Sequence, residues 1–74
     1  MSIELTNEEK SSIVSDKIRG LLVTKYDLGL GVQQQRSVAM PEQTIIDSLT
    51  LKINDIDSQI KVLKDELTSL QPTE

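Results

Sequence analysis

Two acidic pairs are the first residues in this sequence that suggest chemistry. Asp55 and Asp57 stand two apart, and Asp65 and Glu66 are adjacent. Paired carboxylates are what acid–base catalysis or a hard-cation site requires. On a helix, however, side chains one or two positions apart point to different faces, so neither pair converges on one atom. They read as solvated surface charges. Serines and threonines offer hydroxyls, yet the chain has no histidine to activate them and no cysteine to replace them. That removes thiol and imidazole catalysis, disulfides and most zinc sites together. Gly29-Leu30-Gly31 follows no strand and precedes no lysine–serine pair, so it does not read as a phosphate loop. The expectation is a non-catalytic protein with no cofactor, no metal and no small-molecule substrate.

The elements that would position any surface are clearer than the chemistry. From Ile46 to Leu70 the apolar residues Ile46, Leu49, Ile53, Ile56, Ile60, Leu63, Leu67 and Leu70 recur at spacings of 3, 4, 3, 4, 3, 4 and 3. This is the heptad rhythm of a helix with one narrow apolar seam. A second seam precedes it, with Val14, Ile18, Leu21, Leu28 and Val32 at spacings of 4, 3, 7 and 4. Lys25 stands where the missing seam residue belongs. Its methylenes can lie along the seam while the ammonium reaches water, or it can fix register as a polar seam residue.

Local signals set the helix ends. Thr6-Asn7-Glu8-Glu9 fits a capping box that starts a helix near Thr6. Gly29 or Gly31 could stop that helix, since glycine is unfavourable by about 1 kcal/mol against alanine in a helix interior. Val32 nevertheless keeps the heptad phase, and Gln33-Gln34-Gln35-Arg36 favours a helix that continues to about Arg36. Pro41 disfavours the α conformation at Met40 and suits the first position of a new helix. The expectation is therefore a single domain over 1–74, with one helix over about 6–36, a turn over 37–40 and a second helix over 41–70 that ends before Pro72. Two helices of similar length on a short connection fold back antiparallel. That register sets Leu28 beside Leu49, Leu21 beside Ile56, Ile18 near Ile60 and Val14 near Leu63, and it brings Lys25 near Lys52 and Ile53.

The fold class is thus all-α, an antiparallel two-helix coiled-coil hairpin. Ile13, Leu22, Leu30, Ile45, Leu51 and Val62 lie off both seams. Burying an aliphatic side chain contributes about 1.5–3 kcal/mol, so these six form a candidate oligomer or partner surface. Two hairpins packed as a four-helix bundle would cover several of them. A foreign groove could do the same, and isoleucine at a with leucine at d would also suit a parallel pairing of the second helix.

Charge narrows the partners. The chain of 74 residues has a net charge of −4. Five acids balance five bases from Met1 to Ser37, whereas seven acids face three bases from Val38 onward. No cluster of lysine and arginine is present to neutralise phosphates, so nucleic acid is not an expected partner. No run approaches the roughly 20 apolar residues of a membrane span, and the first residues lack a signal-peptide layout, so a cytoplasmic location is expected.

The opening Met1-Ser2-Ile3-Glu4-Leu5-Thr6-Asn7-Glu8-Glu9-Lys10, the segment Lys25-Tyr26-Asp27-Leu28 and the isoleucine-rich heptads resemble small uncharacterised proteins of tailed bacteriophages, cyanophages especially. That group carries charged or polar residues where Gly29 and Gly31 stand here, so the middle of the first helix departs from its pattern. The resemblance implies a phage or host-cell setting and no site residues. Two function classes follow. One is a structural or oligomerisation module, with the chain itself as partner in a homodimer. The other is a binding module that inhibits or adapts a host protein.

Overall fold

A computed structural model describes residues 3–71 of the chain. Two helices account for most of them: α1, Asn7–Arg36, and α2, Gln43–Ser69. No strand occurs among the described residues. The helices pack along each other as a hairpin with extents of 61 × 24 × 16 Å. A 30-residue α1 accounts for about 45 Å of that length at 1.5 Å per residue.

The start of α1 is closed by its own sequence. Thr6 is the N-cap in extended conformation. Its backbone N–H donates to Glu9 Oε1 at 2.9 Å, and the Glu9 N–H donates to Thr6 Oγ1 at 3.1 Å. Two otherwise unpaired donors are satisfied reciprocally, and Glu8 and Glu9 meet the positive end of the helix dipole. No glycine has a positive φ, and α1 runs unbroken through Gly20, Gly29 and Gly31. Glycine costs helix propensity but does not forbid the helix, and the seam packed against α2 outweighs that cost.

The reversal is longer than the spacing of Pro41 suggests. Residues 37–42 connect the helices, and Pro41 lies in the connection rather than at the first position of α2. Glu42 is the N-cap of α2 but makes no side-chain capping bond. Its backbone N–H instead donates to Gln35 Oε1 at 3.3 Å, which ties the end of α1 to the start of α2. The last turn of α1 is closed by Ser37, whose N–H donates to the Gln33 and Gln34 carbonyls and whose hydroxyl donates to Gln34 O at 2.7 Å. At the far end Leu70 caps α2 through its N–H on Glu66 O and Leu67 O. Pro72 lies outside the described residues.

Lys25 does not sit by Lys52 and Ile53. It pairs with Asp57, about one helical turn further along α2, with Lys25 Nζ 2.7 Å from Asp57 Oδ1. Gly31 also lies against Leu49, such that a Cβ there would stand 3.4 Å from Leu49 Cδ1. The shift replaces an unfavourable pair of lysines with an ion pair.

The core is the row between the helices. Val14, Ile46, Ile56 and Ile60 are buried, and among the described residues no side chain falls below 2% exposure. Ile18, Leu21, Leu28 and Val32 on α1, with Leu49, Ile53, Leu63, Leu67 and Leu70 from Leu49 onward, are half-buried. A pair of helices offers only one covered side per helix, so half-burial is the geometric limit of this architecture.

Candidate functional site

None of the acidic pairs forms a catalytic arrangement. Asp55, Asp65 and Glu66 are exposed, and Asp57 is engaged by Lys25 at the edge of the seam. Among the described residues no group of three or more acidic side chains comes together to hold a metal ion. The one clear shift in acidity is at Glu9. The Thr6 backbone N–H, and secondly the Thr6 hydroxyl, favour the ionised carboxylate and hold it below the usual range. That shift belongs to helix capping. No helix among the described residues is long and apolar enough to cross a membrane.

The surface feature that does stand out is apolar. Ile13, Leu22, Leu30, Ile45, Leu51 and Val62 are all exposed, from 37% at Leu30 to 67% at Val62. Val23, Tyr26 and Met40 join them at 65%, 71% and 86%. The sequence reading did not single out these three. Tyr26 had a legible signal all the same: it stands four residues after Leu22 and four before Leu30, on one face of the helix.

Val62 lies on one flank of the hairpin, and Leu22, Val23, Tyr26 and Leu30 lie on the other. On one flank a groove of about 510 Å³ opens between the helices, with Gly20 and Thr24 on α1, Gln59 and Val62 on α2, and Leu21 and Leu63 as its floor. On the other flank two grooves lie along α1. The first is lined by Ile18, Arg19 and Val23, the second by Gly29, Leu30 and Gln33, and both share Leu22 and Tyr26. They therefore form one trough along the middle of α1.

The total surface gives the scale. A compact monomer of 8.3 kDa exposes about 4,600 Å² by the usual scaling of area with mass. This chain exposes 6141 Å², about a third more. Its radius of gyration is 17.3 Å, against roughly 11 Å for a compact globule of the same length. Comparison with protein-family models, with curated proteins and with solved structures finds no significant match to this chain.

Proposed function

We propose that the chain is a non-catalytic helical assembly module that associates with a second copy of itself. The observation that carries the reading is the surplus of surface. An apolar trough and further scattered aliphatic side chains remain wet on a hairpin whose area exceeds that of a compact monomer by roughly 1,500 Å². A standard protein interface removes about 800 Å² from each partner, an amount this chain can supply. The resemblance of the opening decapeptide and of Lys25–Leu28 to small tailed-phage proteins supports a setting in the cytoplasm of an infected host cell.

Sedimentation equilibrium of the full chain tests the reading. The expected result is a species of twice the 8.3 kDa chain mass, or a higher multiple, at micromolar concentration. A folded, strongly helical species that holds the monomer mass throughout that range would overturn it.

A further inference from the structure

The apolar seam of α2 repeats so evenly that it does not by itself align the two helices. Ile46, Ile53, Ile60 and Leu67 follow one another at heptad intervals, and Leu49, Ile56 and Leu63 do the same beside them. Sliding α2 by seven residues therefore offers α1 an equivalent apolar row. The connection holds the start of α2 lightly. Glu42 supplies no side-chain cap, the first turn has no acidic residue, and the Glu42 N–H reaches Gln35 Oε1 at 3.3 Å. We infer that the Lys25–Asp57 ion pair sets the register of the hairpin, choosing one alignment of α1 against α2 over its heptad-shifted alternatives.

Lys25 stands in the seam of α1 with Ile18 one heptad before it and Val32 one heptad after, and it is the one charged residue in that row. Its ammonium nitrogen lies 2.7 Å from Asp57 Oδ1, with the two side chains 41% and 49% exposed. A pair this open to water adds little to stability. Its power to discriminate is greater, because Asp57 has no acidic equivalent at the same heptad position. One heptad nearer the connection that position is Thr50, and one heptad further away it is Lys64. Slipped one way, α2 leaves the ammonium in the seam without a carboxylate. Slipped the other way, it sets lysine against lysine, which is unfavourable. Only the observed alignment joins opposite charges. A single polar residue in an apolar seam specifies register in this manner, at some expense of stability. The contact lies within one chain, so the inference stands apart from self-association.

Distances between spin labels test it, because the chain has no cysteine of its own to compete for the label. Ser15→Cys on α1 and Asn54→Cys on α2 place the labels at exposed positions. Dilution with unlabelled chain restricts the reading to distances within one hairpin. With Lys25 opposite Asp57, Asn54 lies level with Leu28, about 20 Å along the axis from Ser15. A slip of one heptad changes that separation by about 10 Å. The parent chain is expected to give the single long distance. Thr50→Asp combined with Asp57→Thr moves the acid one heptad towards the connection at constant composition, and should bring in a population shorter by about 10 Å along the axis. Lys25→Met, which fills the seam with an apolar side chain, should keep the helicity and show both distances. The unshifted single distance in either variant, with helicity retained, overturns the inference. Two distances in the parent chain overturn it as well.

Discussion

The two helices of this hairpin use their apolar residues differently. α2 contributes Ile46, Ile56 and Ile60 to the buried core, whereas α1 contributes only Val14. Along α2 seven of the ten apolar residues keep to one seam, with Ile45, Leu51 and Val62 off it. α1 distributes them between the seam and the flank that carries Leu22, Tyr26 and Leu30. Their ends differ in the opposite sense. α1 begins with a complete capping box, while α2 begins at Glu42 with no side-chain cap and no acidic residue in its first turn. α2 is thus held by tertiary packing, and α1 by local capping together with a surface that faces two ways.

The largest test of this contrast is in the α2 seam. Ile56→Ala removes a side chain that is 7% exposed and should destabilise the hairpin by about 2–4 kcal/mol in urea unfolding. A loss under about 1 kcal/mol would mean that the seam is not the core. Next comes the capping asymmetry. Thr6→Ala should cost about 1 kcal/mol, and Glu42→Ser, which supplies the cap that α2 lacks, should return a gain of up to about that size. Equal and negligible effects at the two ends would erase the distinction between a locally held and a packing-held helix.

Glycine substitutions sharpen the comparison on α1. Gly20→Ala places a Cβ in open space in a helical backbone, so it should stabilise the fold by about 0.5–1 kcal/mol in thermal or urea unfolding. Gly29→Ala should give a similar gain. The smallest effect is one of pH. Because the Glu9 carboxyl is held below its usual range by Thr6, its contribution is complete at pH above the ordinary carboxylate value and is lost as pH falls through the lowered one. Helicity of α1 should weaken in that acidic window, and Glu9→Gln should remove this component of the pH profile.

Much of the fold was readable because both of its determinants are local in sequence. The heptad rhythm fixed which residues of α2 face inward, and the Thr6–Glu9 box fixed where α1 begins. The register was not readable from either. It depends on where the reversal is centred, and Pro41 with Glu42 lies in the connection instead of opening α2. Lys25, expected near Lys52, is paired with Asp57 instead. Sequence spacing did pick out Leu22 and Leu30 as surplus, but it passed over Tyr26 and Val23. Leu22, Tyr26 and Leu30 stand four apart on one face, and their exposure shows that α2 leaves that face uncovered.

The most direct test compares the solution mass of two variants, Leu22→Glu on the flank of α1 and Leu51→Glu on α2. Both leucines are exposed, at 49% and 65%, so both variants should keep the helical hairpin. The account predicts that Leu22→Glu sediments at the monomer mass while Leu51→Glu stays associated like the wild type. Association that survives at Leu22→Glu and fails at Leu51→Glu would contradict it.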